Sequence, residues 1–300
     1  VQTTADYCER RGKELRASYL GLRSFDASAK QNELRNILRI NEVSNLKKVH
    51  KYTSLAGWDR LALETSDNKL IPLLLLTPAD PALGYLVIIN PAGKGAISED
   101  LVTSLKKKGQ GIVIADLSGT GEASSFKENI TNKSMVLHTQ SRAELWLGKT
   151  ILGEWVKELN VVSDFLKSRQ HAQKVSIDGS KEAGLAGLFL AATGGNVDDI
   201  ILRDAPLSYL FDNQGSIDFF SMGIHLPGFL NWGDVSLAAA LSGKNIRIIN
   251  KLSFNFDSRY WKLIKKHYPF IISLKPNYQD NYLTSLSVDV HIDLNKFYTL

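Results

Sequence analysis

Short, continuous apolar runs recur along most of this chain, at residues 85–89, 112–115, 175–177, 200–202, 246–249 and 270–272. Runs of this length and composition are typical of strands that are buried on both faces of a parallel sheet. Segments with helical periodicity separate most of them. The clearest spans about residues 145–166, where Ile151, Trp155, Leu159, Val162 and Leu166 form one apolar stripe. Strands that alternate with helices predict right-handed crossovers and a doubly wound α/β sheet.

The first part of the chain has a different pattern. Residues 1–48 are polar and place Leu34, Ile37, Leu38 and Ile40 on one helical face. Residues 61–64 and 70–76 then predict two strands of a hairpin that turns at residues 66–68. We therefore expect an N-terminal helical extension over residues 1–48 and one α/β domain over residues 49–300.

Composition narrows the possible functions. The formal net charge is +5, and the lysines are scattered without interleaved aromatic residues, so no nucleic-acid partner is expected. No apolar run approaches the roughly 18 residues that a membrane span needs. The chain has no metal-ligand spacing and no complete dinucleotide or phosphate-loop motif, so no metal or other cofactor is expected.

The single cysteine and the first residue of the chain bear on the cellular compartment. Cys8 is the one cysteine, which excludes an intrachain disulfide and fits either a cytosolic chain or a large secreted domain. The chain begins at Val1 rather than at a methionine. Removal of a leader peptide or excision from a longer protein would each explain this start.

One strand leads into a glycine-flanked turn and then into an apolar helix, at residues 175–192. This is the context of a nucleophile elbow, a strained strand-to-helix turn that presents a catalytic side chain. In an open parallel sheet such a turn lies at the carboxyl end of a strand, where ligands bind. Glycine-containing turns between a strand and a helix are also common without an elbow.

Spacing selects the residue at the tip of the turn. An elbow needs very small residues two positions before and two positions after its tip. Ser180 at the tip would place two charged residues there, Asp178 and Glu182, whereas Lys181 at the tip places a glycine and an alanine there. The steric rule therefore predicts that Lys181 is the tip.

Four segments in order carry a family resemblance, namely residues 85–94 (YLVIINPAGK), 116–122 (DLSGTGE), 147–153 (LGKTILG) and 226–241 (LPGFLNWGDVSLAAAL). Over about residues 61–260 the chain resembles the acetyl xylan esterase-like branch of the α/β-hydrolases, which is related to dienelactone hydrolases and prolyl-oligopeptidase catalytic domains. In the second segment Ser118 replaces the arginine of the family's D-x-R-G-x-G-E. The resemblance implies a three-layer αβα fold with a mostly parallel sheet of about eight strands.

Several of the catalytic residues that the resemblance implies are replaced or missing in this chain. The family's elbow is G-x-S-x-G-G, and this chain has Lys181 in the serine position. The acid position falls at Asp257, and His291 is the only histidine after the last predicted parallel strand. His291 lies in an alternating segment that also fits the solvent face of a strand. The oxyanion hole would be formed by backbone groups of Glu182, Ala92 and Gly93.

Two hypotheses follow. In the first, the chain is a catalytically deficient esterase-like domain that binds a saccharide or an acetylated polysaccharide, or serves as half of a larger carbohydrate esterase with a companion catalytic domain. In it, the ammonium of Lys181 pairs with a carboxylate such as Glu182 or Asp257. In the second, the chain is an active serine esterase or deacetylase that uses Ser180 with Asp257 and His291. The resemblance implies that either protein is secreted or periplasmic.

Overall fold

One ten-stranded sheet forms the centre of the molecule. The structure is a computed structural model that describes residues 3–20, 26–40, 42–124, 137–210, 220–251, 271–277 and 285–292. The strands are β1 (Leu46–Leu55), β2 (Trp58–Thr65), β3 (Leu70–Leu76), β4 (Tyr85–Ile89), β5 (Gly111–Ala115), β6 (Val175–Ser180), β7 (Asp199–Arg203), β8 (Asn245–Lys251), β9 (Ile271–Asn277) and β10 (Ser285–Ile292). Their order in the sheet is β1-β2-β3-β5-β4-β6-β7-β8-β10-β9.

The five central strands, β5, β4, β6, β7 and β8, pair in parallel. Every residue of β4 and β5 is buried, as the continuous apolar runs predicted. The order reverses between β5 and β6, because β4 lies between them. This doubly wound arrangement confirms the fold class that the sequence predicted.

The antiparallel strands at the two sides are what make the sheet larger than the predicted eight strands. β2 and β3 form the predicted hairpin, and β1 adds an antiparallel edge strand to β2. At the other side β10 is antiparallel to both β8 and β9 and lies between them. Because β9 is separated from β8 by this strand, the end of the sheet is not a simple continuation of the parallel core.

Eight helices are described, namely α1 (Thr4–Leu20), α2 (Ala27–Leu38), α3 (Glu99–Lys107), α4 (His138–Trp146), α5 (Ile151–Arg169), α6 (Lys181–Ala192), α7 (Phe229–Trp232) and α8 (Val235–Ser242). α5, α6 and α8 belong to the larger apolar core on one face of the sheet, and α3 covers a smaller core on the other face. The described helices include none that is both long enough and apolar enough to cross a bilayer.

The long helix predicted at about residues 145–166 is shorter at its start. α4 ends at Trp146, and Gly148 has a φ of 73°, which a glycine adopts without strain. Thr150 then caps α5, since its hydroxyl accepts a hydrogen bond from the Gly153 N–H at 3.0 Å.

The N-terminal helices are anchored to the α/β domain. Leu34 and Leu38 of α2 are fully buried in the larger core. The Thr150 hydroxyl donates to the Leu38 carbonyl at 2.9 Å, and the Trp232 indole N–H donates to the Lys30 carbonyl at 2.9 Å. The predicted boundary between residues 48 and 49 falls inside β1, because the chain already enters the sheet at Leu46.

Candidate functional site

The turn between β6 and α6 lies at the carboxyl end of the parallel sheet. Ser180 ends β6 in extended conformation, with φ −92° and ψ 144°. Lys181 is the first residue of α6 and has a φ of 50°, a left-handed conformation that a side chain other than glycine rarely adopts. The structure therefore places Lys181 at the tip of a strained turn and Ser180 one residue before it. The chemical role of Lys181 stays a prediction.

The turn closes because two glycines touch across it. A Cβ atom on Gly179 would lie 2.5 Å from the Gly184 Cα and 2.7 Å from the Gly184 N, far inside any contact distance. Both neighbouring atoms belong to the backbone, so no side-chain rotation could make room. The sequence predicted that small residues are needed at Gly179 and Ala183, and the structure shows that the closest approach to Gly179 comes from Gly184, the residue after Ala183.

Glu182, the residue after the tip, points away from solvent and is completely buried. Its Oε1 accepts hydrogen bonds from the Ser221 backbone N–H at 3.1 Å and from the Ser221 hydroxyl. Its Oε2 has no hydrogen-bond partner in the part of the chain that is described. The expectation that Glu182 pairs with Lys181 is therefore wrong, because the carboxylate turns inward to Ser221.

The surroundings of Glu182 are also polar and closed. Burial, with the carboxylates of Asp234 and Glu182 nearby, raises the pKa of Tyr209 well above its usual range. The Tyr209 phenol donates a hydrogen bond to the Ile224 carbonyl at 2.9 Å. The sequence predicted a backbone role for Glu182 in the oxyanion hole and a carboxylate role as a partner of Lys181, but not a buried contact with Ser221. The available signal was a lone carboxylate at the start of a helix whose following residues are all buried.

Asp116 joins the two neighbouring loops at the same end of the sheet. This buried carboxylate accepts hydrogen bonds from the Lys94 N–H at 2.7 Å and from the Glu122 N–H at 2.8 Å, and it pairs with the Lys94 ammonium. Gly93 has a φ of 82°, and a Cβ atom on it would lie 2.4 Å from the Gly121 Cα. Gly93 and Gly121, which belong to the family-like segments 85–94 and 116–122, therefore allow these two loops to pack closely against each other.

Two of the three predicted oxyanion-hole groups already donate hydrogen bonds within their own turn. The Ala92 N–H donates to the Asn90 side-chain oxygen at 2.9 Å, and the Gly93 N–H donates to the Asn90 carbonyl at 2.8 Å. Glu182 is the second residue of α6, where a backbone N–H has no partner within the helix. The geometry therefore favours the Glu182 N–H over Ala92 and Gly93 as an oxyanion donor.

An ion pair supports the strand that carries the turn. Asp178 is buried at the end of β6, and Arg203 at the end of β7 binds it through two hydrogen bonds of 2.6 Å each. Such a bidentate pair fixes both side chains in one geometry. The two strands are therefore joined by side chains directly beside the Lys181 turn.

His291 lies at the opposite end of the strands from the Lys181 turn. Ser180 aligns through Arg203 with Ile249, near the end of β8. β10 runs the other way, and its Val290 pairs with Ile246 near the start of β8. His291 is therefore three strands away from Ser180 and is displaced by about four residues along the strands, toward the start of β8. At about 4.8 Å per strand and 3.3 Å per residue, the backbone separation is roughly 19 Å. This placement contradicts the predicted triad of Ser180 and His291.

Two other histidines lie close together near the start of α4. His138 begins α4, and His225 follows the 3₁₀ turn Met222–Ile224, whose preceding residue is the Ser221 that binds Glu182. Burial, with a smaller contribution from His138, lowers the pKa of His225. No motif in the sequence predicted a function for either residue.

The remaining predicted positions bear on the acid and on metals. Asp257, the predicted acid, lies outside the described residues. Across the described ranges, no group of three or more histidine, cysteine, aspartate or glutamate side chains could hold a metal ion.

Solved structures with similar folds include esterases. A candidate acetyl xylan esterase from Bacteroides fragilis superposes with a TM-score of 0.65 at 15% identity, covering 90% of this chain and 79% of its own. Acetyl xylan esterase 1 from a Thermoanaerobacterium species gives a looser TM-score of 0.45 at 14% identity, covering 78% of this chain and 81% of its own. No family model and no curated protein matches the sequence. The similarity to the first structure confirms the predicted α/β-hydrolase fold.

Proposed function

We propose that this chain is an esterase-like domain in which Lys181 has replaced the nucleophilic serine and which binds acetylated polysaccharide without hydrolysing it. The observation that carries the proposal is the backbone at Lys181. Its φ of 50° and the close contact of Gly179 with Gly184 are the features that an elbow needs at its tip.

The chemistry of the lysine side chain supports the loss of hydrolysis. A serine attacks an acyl carbon after a histidine removes the hydroxyl proton. A lysine ammonium has no lone pair with which to attack, and the half-buried Lys181 is not sealed into an apolar pocket. His291, the predicted base, also lies at the opposite end of the strands from the turn, since its neighbour Val290 pairs with Ile246 near the start of β8.

Binding needs less than catalysis does. The Glu182 N–H at the start of α6 is a backbone donor, and replacing the serine does not remove it. It can still donate a hydrogen bond to an acetyl or hydroxyl oxygen on a saccharide. The fold similarity to acetyl xylan esterases favours saccharide as the ligand class. A companion catalytic domain and a place outside the cytoplasm belong to the same proposal.

The first experiment measures turnover of p-nitrophenyl acetate by the purified chain. We expect the wild type to match a Lys181→Ala variant and the rate without protein, because neither variant offers a nucleophile at the tip. Turnover above the Lys181→Ala control would contradict the proposal. Turnover that Ser180→Ala abolishes would instead establish the serine esterase hypothesis.

A second experiment asks whether the serine alone is missing. We expect Lys181→Ser to restore no acetyl-ester hydrolysis, since His291 is remote from the turn. Strong rescue by this single substitution would show that another histidine serves as the base. His225 would then be the first residue to replace by glutamine, because it lies near Ser221 and Glu182.

A further inference from the structure

A groove lies between the edge strand β1 and the C-terminal end of α5. Its volume is about 430 Å³, and its apolar floor includes Leu61 and Phe165. It is far from the Lys181 turn, since β1 and β6 are five strand positions apart in the sheet, or roughly 24 Å at about 4.8 Å per strand. Because α5 leads into the start of β6, its C-terminal end lies toward the amino ends of the parallel strands, opposite to the Lys181 turn. The groove is therefore separate from the candidate site described above.

The groove carries an excess of positive charge. Lys47, Lys48, Lys51 and Arg169 line it, against the single carboxylate of Asp59. Lys47 pairs with Glu64 at 2.7 Å. The other three cations are exposed, and none forms an ion pair with another described residue. An anionic ligand would therefore find cations that no carboxylate of the described chain neutralises.

The opposite side of the groove offers hydrogen-bond acceptors. The last turn of α5, which ends at Arg169 with Gln170 as its C-cap, carries carbonyl oxygens without helical donors and a partial negative charge. The Asp59 carboxylate lies on the same lining and accepts a hydrogen bond from the Ser54 hydroxyl at 2.9 Å. These groups repel a dense row of phosphates, but they bind hydroxyl groups.

Tyr52, whose side chain is exposed, is the one aromatic residue of β1 along the groove. One aromatic face can stack on a sugar ring, whereas single-stranded nucleic acid is bound by several aromatic side chains that stack on successive bases. A further β-strand from a second copy of this chain is also disfavoured. It would bring the lysines of two β1 strands together, and lysines on an edge strand oppose such pairing.

We infer that this groove binds an acidic oligosaccharide, such as a chain that contains uronic acid residues. Lys51 and Arg169 bind the sugar carboxylates. The α5 carbonyls and Asp59 accept hydrogen bonds from the sugar hydroxyls. The inference is independent of the Lys181 turn, so it holds whether or not the chain hydrolyses esters.

The test uses the full chain and isothermal titration calorimetry with three probes, namely a galacturonate oligosaccharide, a neutral xylo-oligosaccharide of equal length and an oligothymidylate. We expect the galacturonate oligosaccharide to bind most tightly, and salt to weaken its binding. The double variant Lys51→Gln/Arg169→Gln should lose about tenfold in affinity, as expected for two exposed charge contacts.

The matched control is Lys107→Gln/Lys108→Gln. It removes the same charge from two exposed residues at the end of α3, on the other face of the sheet. We expect it to bind as the wild type does. An equal loss in the α3 control would show a general charge effect and overturn the inference. Tighter binding of oligothymidylate, equal binding of the neutral sugar, or no binding at millimolar galacturonate would overturn it as well.

Discussion

Replacing Gly179 by alanine tests whether the β6–α6 turn is closed as the structure shows. The new methyl group would lie 2.5 Å from the Gly184 Cα and 2.7 Å from the Gly184 N. Overpacking of a core by a methyl group costs about 1–3 kcal/mol when side chains can adjust. Here the neighbours are backbone atoms of a buried helix, so we expect a loss of about 3 kcal/mol or more, a large part of a typical stability of about 5–15 kcal/mol.

Urea unfolding followed by tryptophan fluorescence measures this loss, since the chain has five tryptophans. With a slope of about 3 kcal/mol per molar urea, the midpoint should fall by about 1 M. Gly95→Ala is the matched control, because a Cβ atom there would meet nothing within 4 Å and its φ is not in the left-handed range. We expect that control to stay within about 0.5 kcal/mol of the wild type. If Gly179→Ala were as stable as Gly95→Ala, the steric argument for the elbow register would be refuted.

Two further predictions concern charge. Arg203→Gln should lower the free energy of unfolding by about 3 kcal/mol, because it leaves the buried Asp178 carboxylate without its partner. The double variant with Asp178→Asn should recover part of that loss, and no recovery in urea unfolding would count against the pairing. His225 has a folded-state pKa below its ordinary 6.5, so the unfolded chain takes up the proton first. Stability should therefore be level above about pH 6.5 and decrease as the pH falls through the folded-state pKa. His225→Gln should reduce the difference between the urea midpoints measured at pH 7.5 and at pH 5.5. An unchanged difference would refute the conclusion that His225 causes the loss of stability at low pH.

The fold and the tip of the turn were accessible from sequence because both depend on local patterns. Continuous apolar runs identify strands that are buried on both faces, and β4 is buried at every residue as expected. The tip follows from a short-range clash, since only glycine fits where Gly179 meets Gly184. Each inference needs only residues that are close in sequence.

The histidine could not be predicted because its place depends on long-range pairing. An alternating segment such as the one around His291 shows that a strand forms, but not which strand it joins or in which direction. β10 pairs antiparallel with β8, and this direction carries His291 toward the start of β8. The same local pattern in a strand of opposite direction would have placed His291 at the carboxyl ends of the parallel strands.

The hydrogen bonds of the Ala92 and Gly93 N–H groups to Asn90 had a signal in the sequence. Asn90 is followed by Pro91, a pair that favours the start of a turn. An asparagine side chain there can accept a hydrogen bond from the backbone two residues later, and the Ala92 N–H is that donor. Turn chemistry at Asn90 therefore uses the amides that the family resemblance assigned to an acyl oxygen.

The geometry of the turn does not depend on the chemistry of the side chain at its tip. Gly179 and Gly184 close it through backbone contact, the Glu182 carboxylate fastens the start of α6 to Ser221, and Arg203 holds Asp178 just before it. None of these contacts involves the side chain of residue 181. A left-handed backbone at a residue other than glycine costs about 1–2 kcal/mol, and these surrounding contacts can sustain it. A serine at this position could therefore be replaced by lysine without loss of the elbow, which is why an elbow geometry alone is not evidence of an esterase.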